Sequence, residues 1–160
     1  MTIEQQWAEL MQRPNIDEAV ARYEKMEGEI TSALSTEFGL PPWEGGTRSS
    51  GNPGCGAFDK VDAWDAMSEI LPGSLTPAVI PTNQWPRAVE TIKRVASAHG
   101  FTTPGLAVDK DDFHIVDLYD GYAAKLTVVT GTEKANTVIG VFTGCHLLPE
   151  AKQRGVPRPA

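Results

Sequence analysis

Cys55 and Cys145 are the only cysteines in the chain, about ninety positions apart, and each sits against glycine, in Gly54-Cys55-Gly56 and Gly144-Cys145-His146. A single pair admits one connectivity. A bridge between them ties the first third of the chain to its end and calls for an oxidising compartment. Closing a loop of this length contributes about 4–5 kcal/mol in the chain-entropy account. Left reduced, Cys145 beside His146 is a nucleophile candidate. Adjacent side chains on a strand point to opposite faces, which keeps His146 from reaching Cys145 easily. A lone pair in a chain with extracellular features favours the bridge.

A chain of 160 residues predicts one domain, burying roughly two-thirds of its unfolded surface. Apolar content of 41% and charged content of 22% are ordinary, so a bridge reinforces a core rather than replacing one. The net charge of −7 argues against nucleic acid, which needs a basic stripe. Lys152, Arg154 and Arg158 cluster near the end but interleave with proline, as in a solvated tail. There is no run of eighteen apolar residues to span a membrane. Met1 leads into the polar Thr2-Ile3-Glu4-Gln5-Gln6, with no apolar leader. Read literally, that predicts a cytoplasmic protein. The cysteine usage predicts instead an extracytoplasmic segment whose leader lies outside it.

Residues 1–14 read as a short helical segment stopped by Arg13-Pro14. Asn15 with Glu18 three residues on is a capping-box arrangement. Ile16, Val20, Tyr23, Ile30, Leu34 and Phe38 then recur at helical spacing, and Gly39 is placed as a C-cap. Residues 41–56 hold five glycines and three prolines, a loop composition. Residues 57–81 are ambiguous, with an edge strand expected from Ser74, interrupted by Pro77. Thr82 or Asn83 is expected to cap a second helix carrying Trp85, Val89, Ile92 and Val95. After Gly100 the period becomes alternating. Leu106–Asp109, Phe113–Tyr119, Tyr122–Thr130 and Thr137–Thr143 read as strands, with Asp120-Gly121 as a tight turn. Residues 149–160 form a tail. The expected fold is α+β: two amphipathic helices packed on an antiparallel β-sheet ending in a C-terminal β-meander, with one disulfide.

No set of residues has the spacing of a zinc site, a phosphate loop or a nucleophile elbow. No cofactor, metal site or catalytic residue is therefore predicted. His99, His114 and His146 sit at no ligand spacing, and Asp109, Asp111 and Asp112 read as a polar turn. Trp7 and Trp85 lie on apolar helix faces and are expected in the core. Trp43 and Trp64 flank the glycine-rich loop; with Arg48 they are the candidate ligand-binding surface.

Several stretches in order carry a resemblance: Arg13-Pro14-Asn15-Ile16 leading to Arg22-Tyr23, Gly54-Cys55-Gly56, Gln84-Trp85-Pro86-Arg87, Gly100-Phe101, Asp120-Gly121-Tyr122 and Thr143-Gly144-Cys145-His146-Leu147. Together, over about 13–155, they resemble the actinobacterial LppA-like lipoprotein family. The resemblance implies a signal peptide and a lipidated cysteine ahead of this segment, and a place on the outer face of the cell membrane. It carries no activity onto particular residues.

The expected function is that of a non-catalytic cell-envelope lipoprotein ectodomain that binds an unknown protein or envelope ligand. It would meet the membrane only through an N-terminal lipid anchor. Two alternatives stand beside it: a thiol enzyme using Cys145 with His114 or His146, and a purely structural assembly subunit.

Overall fold

The computed structural model describes residues 1–46 and 49–159. Helix α1 (Ile3–Gln12) starts at Thr2, whose hydroxyl accepts from the Gln5 amide while the Gln5 side chain accepts from the Thr2 amide. Proline at position 14 disfavours helical backbone at Arg13, which is extended, and α1 stops. Helix α2 (Ile16–Phe38) begins with the expected Asn15–Glu18 capping box and ends at Gly39, in the left-handed region at φ 61°. Helix α3 (Trp85–Ser97) carries Pro86 in its first turn. Neither Thr82 nor Asn83 caps it. The Pro81 carbonyl accepts from the Gln84 and Trp85 amides, and the Thr82 hydroxyl is engaged elsewhere.

All nine strands belong to one antiparallel sheet. Strands β5 (Thr103–Lys110), β6 (Phe113–Tyr119), β7 (Lys125–Thr130) and β8 (Thr137–Phe142) form the expected meander. The outer edge of β8 is shared between β4 (Ser74–Thr76) and the end of β3 (Ala66–Ile70). Segment 41–56, a loop by composition, contributes β1 (Glu44–Gly45) against β4 and β2 (Ser50–Pro53) against β3. Strand β4 is flanked on both sides and stops ahead of Pro77. Strand β9 (His146–Leu147) pairs with the start of β3, and helix α4 (Pro149–Arg154) follows.

Alternation along the meander decides which face is buried. Val116, Leu118, Leu126, Val128, Ile139 and Val141 point to one face, under Tyr23, Met26, Ile30 and Leu34 of α2 and Trp85, Ala88, Ile92 and Ala96 of α3. A second, smaller core gathers Trp7, Leu10, Phe58, Val61, Leu147 and Ala151 around Cys145. The molecule is thus an α+β domain whose helices α2 and α3 cover one face of the sheet. The two cores meet where α1 turns into α2.

Candidate functional site

Cys55 and Cys145 are bonded, with Cα atoms 5.9 Å apart. Cys145 is buried in the smaller core, and no free cysteine exists among the described residues. His146 lies on the strand beyond it and turns away. Its Nδ1 stands 2.8 Å from the Pro14 carbonyl oxygen, which can only accept, so Nδ1 carries the hydrogen. Nε2 is buried without a partner, and burial holds the imidazole below its ordinary pKa. The thiol-enzyme expectation fails on both counts: the sulfur is in a covalent bond, and neither histidine is aimed at it.

Around this bridge the stretches holding Arg13-Pro14, Asp120-Gly121-Tyr122 and Gly144-Cys145-His146 converge. The Arg13 guanidinium donates to the Cys145 carbonyl at 2.9 Å and to the Tyr122 carbonyl at 3.3 Å. It lies over the rings of Phe58 and Tyr122 at 5.0 and 5.6 Å. The Arg13 carbonyl accepts from Lys152 Nζ at 2.6 Å. In the β6–β7 connection, Asp120 Oδ1 accepts from the Tyr122 and Ala124 amides, and Oδ2 accepts from the buried Tyr23 hydroxyl at 2.5 Å. Burial and the adjoining carboxylate raise the Tyr23 pKa far above its usual range, so the phenol stays protonated and donates. The sequence places a tight Asp-Gly turn here, but Gly121 is not in the left-handed region; Ala123 is, at φ 62°. The Asp120 side chain closes the turn from within, which removes the need for a left-handed glycine at 121. At Gly144 a side chain would collide with the Tyr122 carbonyl, so this close approach of two backbones requires glycine.

The tryptophans divide as the apolar faces suggest, with one exception. Trp7 and Trp85 are buried. Trp43 packs against the larger core and donates to Ser35 Oγ at 2.8 Å, so most of its ring is not available to a ligand. Trp64 is 74% exposed. Its amide donates to Asp62 Oδ1 at 2.8 Å, and it borders a hollow of about 620 Å³ with Phe58, Asp59, Lys60 and Arg158. Trp43 and Trp64 are therefore not brought into one surface. Arg48 lies outside the described residues. Asp65, just beyond Trp64, is held by Arg154 and Arg158. Burial opposes its charge, but those two guanidiniums hold the carboxyl below the ordinary carboxylate range.

One arrangement escaped the sequence reading. His114 is buried, stacked on Trp85 with ring centroids 5.4 Å apart. Its Nδ1 faces Asp109 Oδ1 at 2.8 Å and its Nε2 faces the Thr82 hydroxyl at 3.1 Å. Acid, imidazole and hydroxyl stand in the order of a catalytic triad. The hairpin register that sets Asp109 opposite His114 was readable in principle; the approach of Thr82 was not, because it depends on where α3 docks. No group of three or more His, Cys, Asp or Glu side chains among the described residues could hold a metal ion.

The family model LppA, described as a lipoprotein confined to pathogenic Mycobacterium, matches residues 1–149. The crystal structure of LppA from Mycobacterium tuberculosis is similar with a TM-score of 0.72 and 15% identity, over 98% of this chain and 93% of that one. A DUF4853 family protein from Actinomyces odontolyticus is similar with a TM-score of 0.59 and 12% identity, over 84% of this chain and 70% of that one. At such identities the likeness shows a shared fold. None of the curated proteins matches. The chain belongs to the LppA lipoprotein family.

Proposed function

We propose that this member of a lipoprotein family is the extracytoplasmic domain of an anchored envelope protein, that it works by binding, and that Trp64 is the centre of its contact with a partner. The observation that carries the reading is the exposure of Trp64 on backbone held in place. A tryptophan left 74% exposed gives up a large apolar payload, which a partner would recover. The hollow beside it combines the ring with Lys60, Asp59 and Arg158, an apolar anchor with a polar rim. Lys60 Nζ also holds the Met1 carbonyl at 2.6 Å, so the first residue lies at this end.

The test is a binding screen of envelope polymers and envelope proteins against the chain and its Trp64→Ala variant. An exposed side chain of this kind changes stability by less than about 0.5 kcal/mol, so the variant folds. Loss of a binding event in the variant supports the placement; binding events that all survive the substitution remove it.

A second reading rests on Asp109, His114 and Thr82. In it, His114 Nε2 takes the Thr82 proton as the hydroxyl oxygen attacks an ester carbonyl carbon, then gives that proton to the departing alkoxide as the ester C–O bond breaks, and water hydrolyses the acyl-threonine. One feature weighs against it: the Thr82 hydroxyl has a single hydrogen, and Asp112 Oδ1 at 3.0 Å competes with His114 Nε2 at 3.1 Å for it. Ester hydrolysis that disappears in both Thr82→Val and His114→Gln, with the fold retained, would establish it.

A further inference from the structure

We propose that the hollow between α2 and the β6–β7 connection, about 370 Å³ and bounded by Arg22, Lys25, Tyr23, Asp120, Tyr122 and Pro14, binds the phosphoryl group of a phosphorylated hydroxyl compound. This site is separate from the Trp64 contact and does not rest on it.

Three observations carry the inference. First, the charged residues in the stretches that resemble the lipoprotein family nearly all have structural work. Arg13 holds two carbonyls, Arg87 pairs with Glu37, and Asp120 closes its turn. Arg22 is the exception. It is exposed and has no ion-pair partner among the described residues, and the same holds for Lys25. Second, residues three apart on a helix share a face, so the two cations stand on the same rim of the hollow. Two positive charges on one rim match a phosphate monoester dianion better than a carboxylate, which carries one charge. On a chain of net charge −7, an anion is held only where such a local excess exists. Third, the floor suits a hydroxyl. Asp120 already takes three donors, from Tyr122, Ala124 and Tyr23, so three of its four acceptor positions are filled within the protein. A carboxylate so engaged has its charge drawn toward those donors, and the one lone pair left on Oδ2 accepts from a ligand hydroxyl. Across the hollow, His99 Nε2 stands 2.9 Å from Glu29 Oε2.

The experiment is an amide-resolved NMR titration of the full chain with glycerol phosphate at constant ionic strength set by chloride. Saturable shifts centred on residues 22–25, 98–99 and 120–122 are expected. Arg22→Gln combined with Lys25→Gln should weaken binding roughly tenfold or more, since both contacts are charge-assisted. Both side chains are exposed, so the variant keeps its fold. Lys93→Gln, on another helix, should leave binding unchanged, and so should Trp64→Ala. A second arm uses vesicles of phosphatidylcholine with and without phosphatidic acid. Binding to the phosphatidic acid vesicles that the double variant loses assigns the phosphoryl source to a lipid headgroup; binding of glycerol phosphate alone assigns it to a soluble ester. Shifts that never saturate, or saturable binding that survives the double substitution, overturn the proposal.

Discussion

Cutting the Cys55–Cys145 bridge tests how the molecule is held together, and its magnitude follows from the sequence separation. The bridge spans 90 positions. In the chain-entropy account a loop of that size removes about 15.5 cal/mol/K from the unfolded ensemble, or about 4.6 kcal/mol at 25 °C. Unfolding entropy of about 2.1 cal/mol/K per residue, over 160 residues, is about 340 cal/mol/K. The melting temperature should therefore fall by about 14 °C when the bridge is absent. The assay is unfolding of the oxidised chain, the chain reduced with a phosphine, and the Cys55→Ala/Cys145→Ala variant, by heat and by urea. The unfolded-state origin of the effect adds a second expectation. An unbridged unfolded chain is more open and exposes more surface, so the urea m-value should rise as stability falls. A fall of less than about 3 °C would refute the reasoning outright. A large fall with unchanged m would refute its mechanism, and would place the loss in native packing around the buried Cys145.

Four further outcomes are expected. Tyr23→Phe leaves Asp120 Oδ2 without its donor, and should cost about 1–3 kcal/mol by urea unfolding. Arg13→Met leaves the Cys145 and Tyr122 carbonyls without the guanidinium and should cost about 2–4 kcal/mol; Arg13→Lys should recover only part, because one ammonium cannot reproduce the fork. His146 is held neutral by burial, so its folded pKa lies below the ordinary 6.5. The unfolded chain then binds the proton first, and stability is lost as pH falls from about 6.5 toward the folded pKa; the difference between the native chain and His146→Phe should shrink over that window. Asp65 behaves in the opposite range: its folded pKa is depressed, so its contribution is present above the ordinary 3.8 and lost as pH falls through the folded value. Asp65→Asn should abolish that acid-range loss and speed tryptic cleavage after Arg154, as α4 and the tail loosen.

The parts of the fold that were legible in the sequence are those whose residues state their own environment. Helix α2 shows its apolar stripe, its capping box and its terminal glycine within one continuous segment. The meander shows its buried face by alternation. The parts that were not legible take their structure from a distant partner. Strands β1 and β2 have every residue exposed, and only pairing with Leu75, Ser74 and the length of β3 makes them strands. The start of α3 has a threonine and an asparagine in cap positions, yet His114 and Asp112 claim the threonine hydroxyl. Trp43 and Trp64 look alike beside a glycine-rich loop. One lies over Ser35 on α2 and packs on the larger core, while the other projects outward, and nothing local distinguishes them.

Most of the short stretches that carry the resemblance supply one piece each of the contact, or seam, between the two cores, while Trp85 and Phe101 lie within the larger one. Arg13 gives a guanidinium and Pro14 a carbonyl; Asp120 gives a carboxylate, Gly144 the room for a close approach, Cys145 a sulfur, and His146 an imidazole hydrogen. None of these needs a long pattern, and each fails if its neighbour is missing, so their order along the chain says more than any one of them. A seam of this kind accounts for residues that are buried and mutually satisfied. It does not account for Arg22 and Lys25, which are exposed at its edge and make no ion pair among the described residues. Charges that stability does not use are the ones most open to use by a ligand, and that separation of roles places the phosphoryl site at the seam's rim rather than within it.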